Sequence, residues 1–369
     1  MKVVLTGATG FIGSAVARRL LAEGVALRAL VRPNSDRRNI EGLDLEVVEG
    51  DLRDEASLAR LCQGCDALFH IAADYRLWAR RPSEIYQTNV EGTRAILTAA
   101  AEAGVSRVVY TSSVATLDPP SVGVPGDESG RAKLPEIIGH YKRSKFMAEE
   151  VVRDFARKGL AVVTVNPSAP VGPRDVKPTP TGRTILEAAA GRMPAYVETG
   201  LNIVHVDDVA EGHWLAFERG RVGETYVLGG ANMTLLEILT CIAELVGREP
   251  PRIRLPYNLV LSIAHISESA ARLTGKSPVA TVEGVKLSKK MMFFSSEKAR
   301  RELGYAARPP LLALQDAICW FHDNGYLRQP SASRRDIMKS CDNFARSTRR
   351  ENASSKNAKR FVEKKIFDR

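Results

Sequence analysis

Three glycines spaced three residues apart, Gly7, Gly10 and Gly13, lie where an apolar, strand-like segment (2–6) meets a helical pattern (10–23). At such a junction the first glycine permits a tight turn, the second lets the backbone approach a pyrophosphate, and the third lets the helix pack close to the sheet. Free N–H groups and the dipole of the helix N-terminus favour a phosphate there. We therefore predict a dinucleotide-binding turn, which requires the first strand and helix of a βαβ unit. Its cofactor-binding residues are predicted to be Gly7, Thr9, Gly10, Phe11, Ile12 and Gly13.

Strand-like and helical segments alternate through the first half of the chain. The predicted strands are 2–6, 26–31, 45–49, 67–71, 107–111 and 161–166, and the predicted helices include 10–23, 82–103 and 141–158. Strands separated by such helices form βαβ units, whose parallel sheet is covered on both faces. The sequence therefore predicts an α/β fold with a Rossmann-type, doubly wound parallel sheet.

Repeated prolines from Pro167 onward break this pattern into loops and short helices. We expect an NAD(P)-binding Rossmann domain over 1–166, with returns to the sheet near 202–230, and mainly a smaller, C-terminal substrate-binding domain over 167–327. The returns are expected to be a strand at 202–206, a helix at 208–219 and a strand at 225–228.

The 369 residues carry a net charge of +10, most of it near the C-terminal end. Residues 328–369 hold 13 Lys and Arg against 5 Asp and Glu, so the rest of the chain is nearly neutral. A nearly neutral body gives no general reason to bind nucleic acid, and we expect a small-molecule substrate instead. The basic tail is expected to be disordered. The alternative is a weak contact with an anionic membrane, worth about 1 kcal/mol per basic residue near the surface.

Five cysteines at irregular spacing favour a reducing compartment over a disulfide framework. Cys62 and Cys65 form a CxxC pair, but the pair closes a helix-like stretch, so we expect a structural role. No histidine cluster has metal-ligand spacing, and no metal site is expected. The sequence shows neither a leader peptide nor an apolar run of ~18 residues, so the expected location is cytoplasmic.

The segment after the second predicted strand carries Arg32 where a dinucleotide site that prefers NAD has an acidic residue. An arginine there can meet the 2′-phosphate of NADP(H), and Arg37 and Arg38 follow closely. We predict a preference for NADP(H), with NAD as the alternative cofactor; otherwise the segment is a solvated basic loop without selectivity. Asp51, followed by Leu52, is predicted to accept from the adenine amino group or to be a turn residue.

Tyr141 and Lys145 lie four residues apart on one predicted helix and therefore share a face. An ammonium about 4 Å from the phenol contributes up to about 4 kcal/mol at an effective dielectric of ~20, or about three pKa units. We therefore expect Lys145 to bring the pKa of Tyr141 near neutral pH. Ser113 follows a predicted strand at the carboxyl edge of the sheet, where ligands bind. Together the three residues predict hydride transfer to or from a carbonyl, with Tyr141 as acid–base catalyst.

Further segments accompany these residues: Gly50-Asp51-Leu52, His70-Ile71-Ala72-Ala73, Thr88-Asn89-Val90-Glu91-Gly92-Thr93 and Asn166-Pro167. With them, residues 1–327 resemble the extended short-chain dehydrogenase/reductase family. Within it, the chain is similar to the dihydroflavonol-reductase-like branch and, more narrowly, to the bacterial hopanoid-associated sugar epimerases. The narrower match rests on 72–78, 111–117, 201–209 and 293–299.

The resemblance implies roles for individual residues. Ser113, rather than Ser112, matches the family's catalytic serine, Tyr141 is the acid–base, and Asn89 braces the active-site helix. Lys145 lowers the Tyr141 pKa and holds the nicotinamide ribose. Further cofactor contacts are implied for Ala72, Ala73, Pro167 and Ser168.

The chain also departs from the family pattern. Ser113-Val114-Ala115 stands where the family's dehydratases carry Thr-Asp-Glu, so a dehydratase is not expected. Epimerisation of a sugar or nucleotide-sugar is the first function that stays open, and NADPH-dependent reduction of a flavonoid-like or isoprenoid ketone is its alternative. A non-catalytic NADP(H) sensor is the third. Tyr75 and Trp78 are predicted to stack on the substrate or to pack the seam between domains, and Asn202 to line the cleft.

Overall fold

The structure, a computed structural model, describes residues 1–76, 78–118, 123–274 and 281–327. The basic tail at 328–369, and with it the predicted disorder or membrane contact, lies outside these residues.

A seven-stranded sheet forms the centre, in the order β3-β2-β1-β4-β5-β6-β10, and each neighbouring pair is parallel. Its strands are β1 (Lys2–Thr6), β2 (Ala26–Val31), β3 (Glu46–Glu49), β4 (Ala67–His70), β5 (Arg107–Thr111), β6 (Val162–Pro167) and β10 (Thr225–Leu228). This order confirms the predicted doubly wound sheet. The strand order reverses between β1 and β4, and a ligand crevice forms outside the carboxyl ends of strands at such a point.

Helices cover both faces of the sheet. One face carries α1 (Phe11–Ala22), α7 (Val206–Arg219) and α11 (Glu297–Leu303); the other carries α2 (Glu55–Cys62), α4 (Gly92–Glu102) and α5 (His140–Arg157). The strands alternate between the two cores, since Val3 and Leu5 pack with the first set of helices and Val4 with the second. Burial on both faces explains the continuous apolar runs of these strands.

The helix predicted over 82–103 is not continuous. It consists of α3 (Ser83–Tyr86), a π-helical segment (Gln87–Glu91) and α4. A π-helical segment inserts one residue into a helix. The spacing of apolar residues does not reveal this insertion, because the helical pattern continues on both sides of it. This segment places the side chain of Asn89 toward the crevice.

A second, smaller sheet is built around β9 (Gly200–His205), which pairs with β7 (Ala169–Val171), β11 (Ala231–Thr234) and β13 (Met291–Met292). The strand predicted at 202–206 therefore does not return to the main sheet, whereas α7 and β10 do. The sequence pattern of a strand contains no information on its partners, and β9 pairs with three distant segments. Two further short strands, β8 (Ala195–Tyr196) and β12 (Ile253–Arg254), pair with each other.

The other helices follow β7 along the chain. They are α6 (Pro180–Ala189), α8 (Leu235–Val246), α9 (Tyr257–Thr274), α10 (Val282–Leu287) and α12 (Pro310–Asp323). A third core lies among α6, α8, α12 and β9. A capping box opens α8: Thr234 Oγ1 accepts from the backbone N of Glu237, and the Glu237 carboxylate accepts from the backbone N of Thr234. No helix in the described ranges is long and apolar enough to cross a membrane.

Cys62, the first cysteine of the CxxC pair, is the last residue of α2, and Cys65 lies in the turn after it. Cys62 and Cys65 are both buried and not disulfide-bonded. Burial raises the pKa of Cys62 to about 12, which keeps the thiol protonated and unreactive. A packing role, as predicted, accounts for the pair.

Candidate active site

The glycine turn joins β1 to α1 at the carboxyl edge of the main sheet. Gly7 has φ +79°, and a Cβ there would lie 2.7 Å from the backbone N of Ala72. A Cβ on Gly13 would lie 1.9 Å from the carbonyl oxygen of Gly7, so α1 can pack this closely only without a side chain there. Gly10 is the N-cap of α1 and supplies no capping side chain, which leaves the first N–H groups of the helix available to an anion. This geometry fits the pyrophosphate of a dinucleotide.

Three further predicted cofactor residues lie at the same turn: Thr9, Phe11 and Ile12 are partly exposed there. The sequence analysis missed Asn39, whose side chain is buried beneath the turn. Its amide donates to the carbonyl oxygens of Thr9 and Arg174, both at 3.1 Å. Asn39 therefore ties the glycine turn to the segment that follows β7.

The cationic residues after β2 differ in their partners. Arg37 pairs with Glu49, and Arg38 pairs with Asp36 at 2.7 Å. Arg32 is exposed, and within the described ranges its side chain has no ion pair or hydrogen bond. Arg32 is thus the member of this group that is free to bind an anionic ligand.

Asp51 and Leu52 follow β3. The Asp51 carboxylate accepts from the backbone N of Arg53 at 3.0 Å and from its Nε at 2.7 Å, which is a turn arrangement. The Arg53 guanidinium lowers the pKa of Asp51, and Arg32 adds a smaller effect. The Leu52 side chain is buried against α4, where a Cβ on Gly92 would lie 2.9 Å from it.

The loop Ala72–Ala73 follows β4 and is held against the glycine turn by a buried network. The backbone N of Ala72 donates to Thr6 Oγ1 at 3.2 Å, and the Thr6 hydroxyl donates to His70 Nδ1 at 2.7 Å. The ring proton is then on His70 Nε2, which faces Thr93 Oγ1 at 2.9 Å. Burial lowers the pKa of His70 to about 3, with a smaller effect from the Lys145 cation, so the ring is neutral. His70, Ala72 and Thr93 lie in segments that carry the family resemblance, but the contacts among them are not visible in the sequence.

Asn89 connects this loop to α5, as the resemblance implies. Its Oδ1 accepts from the backbone N of Asp74 at 2.7 Å, and its Nδ2 donates to the Asp74 carbonyl at 2.9 Å and to Ser144 Oγ at 2.8 Å. The Ser144 hydroxyl in turn donates to the Tyr141 carbonyl at 2.7 Å. Asn89 thereby fixes the first turn of α5 relative to the loop after β4.

Ser113 and Tyr141 meet in front of the sheet edge. The Ser113 hydroxyl is close enough to the Tyr141 phenol to lower its pKa, and the Ser113 oxygen accepts from the backbone N of Ala115 at 3.2 Å. The neighbouring Ser112 is turned into the core, where its hydroxyl donates to Glu149 at 2.6 Å. Of the two serines, therefore, the structure brings Ser113 to the tyrosine.

Lys145 is buried one turn beyond Tyr141 on α5. Its Nζ donates to the Thr111 carbonyl at 2.7 Å and to the Tyr110 hydroxyl at 3.0 Å. Burial lowers the pKa of Lys145 to about 7, opposed by the negative charge of Glu149. The sequence analysis missed Glu149, although its position four residues after Lys145 places it on the same helix face.

The expected lowering of the Tyr141 pKa by Lys145 is not found in this arrangement. Burial raises the pKa of Tyr141 to about 12, and the hydrogen bond with Ser113 opposes that rise. The ammonium of Lys145 is directed to the end of β5 instead. The prediction required a direct contact between the phenol and the ammonium, and helix spacing alone does not ensure such a contact.

Tyr75 and Trp78 lie on the loop after Ala73. Tyr75 is close enough to Tyr141 to raise its pKa slightly, and its hydroxyl is 3.4 Å from the Lys177 carbonyl. Trp78 lines a cavity of about 520 Å³ next to the start of α5. The other residues that line it include Ile85, Ile138, His140, Glu283 and Lys286. Tyr75 is therefore near the phenol of Tyr141, whereas Trp78 borders the cavity.

The opposite wall contains Pro167 and Ser168 at the end of β6. Ser168 Oγ donates to Asn202 Oδ1 at 2.7 Å. Asn202 was predicted to line the cleft, but it is 1% exposed, and its Nδ2 donates to Asn232 Oδ1 at 2.7 Å and to the Phe294 carbonyl at 3.1 Å. The amide oxygen and nitrogen of Asn202 both bind residues of the protein, so neither is available to a substrate. This structural role depends on the fold and is not visible in the sequence.

The chain is similar to several known proteins. Residues 3–229 match the model of the NAD dependent epimerase/dehydratase family. A protein of Synechocystis sp. that carries the provisional name dihydroflavonol 4-reductase is 43% identical over 328 residues, which are 88% of this chain and 95% of that protein.

Two solved structures are also similar. The crystal structure of gox2253 has a TM-score of 0.80 and 52% sequence identity and covers 89% of this chain and 99% of its own. A nucleoside-diphosphate-sugar epimerase from Pseudomonas aeruginosa has a TM-score of 0.75 and 29% identity with the same coverage of both chains.

Proposed function

Since this chain belongs to the NAD-dependent epimerase/dehydratase family, we propose that it is an NADP(H)-dependent oxidoreductase that reduces a carbonyl carbon of a small molecule. The observation that carries this proposal is the approach of Ser113 and Tyr141 at the sheet edge that also holds the glycine turn. Sugar epimerisation is the second candidate, because the similar P. aeruginosa structure is a nucleoside-diphosphate-sugar epimerase.

The residues that would hold the cofactor surround the strand ends of the main sheet. The N–H groups at the start of α1 would bind its pyrophosphate, and Arg32 its 2′-phosphate. NADPH supplies the hydride when bound. The remaining contacts that we assign to the cofactor are Gly7, Thr9, Phe11, Ile12, Gly13, Asp51, Leu52, Ala72, Ala73, Lys145, Pro167 and Ser168.

Tyr141 is the proton donor in the proposed reaction. As a hydride reaches the carbonyl carbon, the carbonyl oxygen gains negative charge and takes the phenol proton of Tyr141, so that the product is an alcohol. Ser113 donates a hydrogen bond to the same oxygen and orients it. Because the pKa of Tyr141 is raised to about 12, the phenol is protonated at neutral pH, which is the form that reduction requires.

Substrate contacts are assigned to Tyr75, which is close to Tyr141, and to Trp78, which lines the cavity next to the start of α5. The charged groups that line this cavity are of both signs: Arg80 and Lys286 oppose Glu268 and Glu283. A nucleoside diphosphate requires an excess of cations, whereas a neutral ketone with an apolar body fits walls that include Trp78, Ile85 and Ile138. This balance of charge supports the reductase over the sugar epimerase.

A panel of neutral ketones and nucleotide-sugars tests the proposal with purified protein and NADPH. We expect loss of absorbance at 340 nm in one-to-one proportion to the alcohol formed from a ketone. Conversion of a nucleotide-sugar to its epimer without net change at 340 nm would instead support the second candidate. Binding of NADPH without conversion of either class would favour the sensor hypothesis and contradict both enzymatic ones.

A further inference from the structure

Glu149 is a buried acidic residue on the same face of α5 as the two proposed active-site residues. It lies one turn beyond Lys145 and two turns beyond Tyr141, and it is 0% exposed. A carboxylate in such a position is costly unless several hydrogen bonds and charges compensate it. Its partners therefore indicate what it holds in place.

One carboxylate oxygen of Glu149 binds the loop that carries Ser113. The Ser112 hydroxyl donates to Oε2 at 2.6 Å, and the Thr116 hydroxyl lies 2.7 Å from the same oxygen. Ser112 precedes Ser113 directly, and Thr116 ends the 3₁₀ turn that Ser113 caps. Both sides of the serine loop are thus attached to one side chain of α5.

The other oxygen of Glu149 binds two cations at the outer side of the helix. Arg153 Nη2 lies at 2.9 Å and Arg131 Nη2 at 3.7 Å. The adjacent Glu150 also pairs with Arg131, at 2.7 Å, but its side chain is 46% exposed. Glu150 therefore offers a matched control: the same charge on the same helix without contact to the serine loop.

We propose that Glu149 is the positioning residue that joins the Ser113 loop to α5 and places a negative charge one turn from Lys145. The proposal rests on the proposed function, because its purpose is to hold Ser113 at hydrogen-bonding reach of Tyr141. Three successive contacts connect β5 and its loop to α5: Tyr141 to Ser113, Lys145 to the Thr111 carbonyl, and Glu149 to Ser112 and Thr116. A shift of about 1 Å in such a set can cost about a hundred-fold in rate.

The charge of Glu149 also affects the protonation of Lys145. The titratable groups that face Lys145 are Glu149 and Tyr141 on α5, Tyr110 on β5 and His70 on β4. Of these, Glu149 raises the pKa of Lys145 against the effect of burial. Loss of this charge should therefore lower the pKa of Lys145 further.

Three variants separate these effects: Glu149→Gln removes the charge, Ser112→Ala removes one hydrogen bond and keeps the charge, and Glu150→Gln is the control. For Glu149→Gln we expect the pH at which NADPH affinity declines to move down, and kcat at pH 7 to fall by at least about ten-fold. Ser112→Ala should lower kcat without moving the pH of that decline. Glu150→Gln should change neither.

NADPH affinity, followed by its fluorescence at several pH values, requires no substrate. If the wild-type protein reduces no ketone, the proposed function fails, while the affinity profile still tests Glu149. A Glu149→Gln protein with the wild-type kcat and an unshifted profile would overturn the proposal, as would equal shifts in both glutamine variants. Melting temperatures show whether each variant is folded. If Glu149→Gln is not, Ser112→Ala combined with Thr116→Val takes its place, and an unchanged kcat there would overturn the proposal.

Discussion

Replacement of Arg32 by alanine should change which dinucleotide this protein prefers. Arg32 follows β2 at the position where a cofactor's adenosine ribose is recognised in a doubly wound sheet. It is exposed and has no ion pair within the described ranges, so its charge is available to a 2′-phosphate. Alanine at this position should therefore weaken the binding of NADP(H) and leave the binding of NAD(H) unchanged.

The size of this effect follows from the surroundings of the guanidinium. A charge-assisted hydrogen bond to a phosphate is among the stronger polar contacts, but at an exposed site part of it is screened by salt. Asp51 is close enough for Arg32 to lower its pKa, so one carboxylate already competes for the cation. We therefore expect Kd for NADPH to rise by about ten-fold.

Fluorescence titration of NADPH and NADH with wild type, Arg32→Ala and Arg38→Ala measures this effect. Arg38 is the control because its guanidinium is held by Asp36 at 2.7 Å. The NADPH-to-NADH preference should fall only in Arg32→Ala, and more at low than at high salt. An unchanged preference in Arg32→Ala, or an equal loss in Arg38→Ala, would refute the assignment of Arg32.

Three further predictions concern the frame of the site. Gly13→Ala should lower the free energy of unfolding by about 1–3 kcal/mol, because its Cβ would overlap the Gly7 carbonyl. Gly10→Ala should cost little stability but should lose NADPH binding. Denaturant melts measure the first effect, and NADPH titrations measure the second. Asn89→Ala should lower the free energy of unfolding by about 1–3 kcal/mol and reduce turnover, because it removes buried hydrogen bonds to the Asp74 carbonyl and Ser144 Oγ. Gln87→Ala is the control: its side chain is exposed, and neither quantity should change in the same assays. Burial lowers the pKa of His213 to about 4, so its contribution to the stability of the folded state is complete above pH ~6.5. As the pH falls from there toward 4, that contribution decreases by up to about 1.4 kcal/mol per pH unit. His213→Leu should flatten the slope of unfolding free energy against pH between 6 and 4.5; an unchanged slope would contradict a neutral buried histidine.

The main sheet could be predicted from sequence because its determinants are local. The strands Lys2–Thr6, Ala26–Val31 and Arg107–Thr111 have the predicted bounds, since each is an apolar run between turns and helices. Their parallel order follows from the alternation of strands and helices, and the glycine turn follows from steric limits that only glycine meets.

The parts that could not be predicted depend on contacts between distant segments. The strand at 200–205 has a recognisable pattern, but its partners lie at 169–171, 231–234 and 291–292. Asn202 was predicted to line the cleft, but the small sheet encloses its side chain. The direction of the Lys145 side chain depends on the end of β5, which helix periodicity does not describe.

The central claim is that Tyr141 supplies the proton while hydride is transferred at a carbonyl carbon. Its most direct test compares wild type and Tyr141→Phe for NADPH affinity and for single-turnover loss of absorbance at 340 nm with a ketone that the wild type reduces. The account predicts that Tyr141→Phe binds NADPH within about two-fold of wild type and reduces the ketone at least about a hundred-fold more slowly. A Tyr141→Phe protein that binds NADPH and reduces the ketone at the wild-type rate would contradict it.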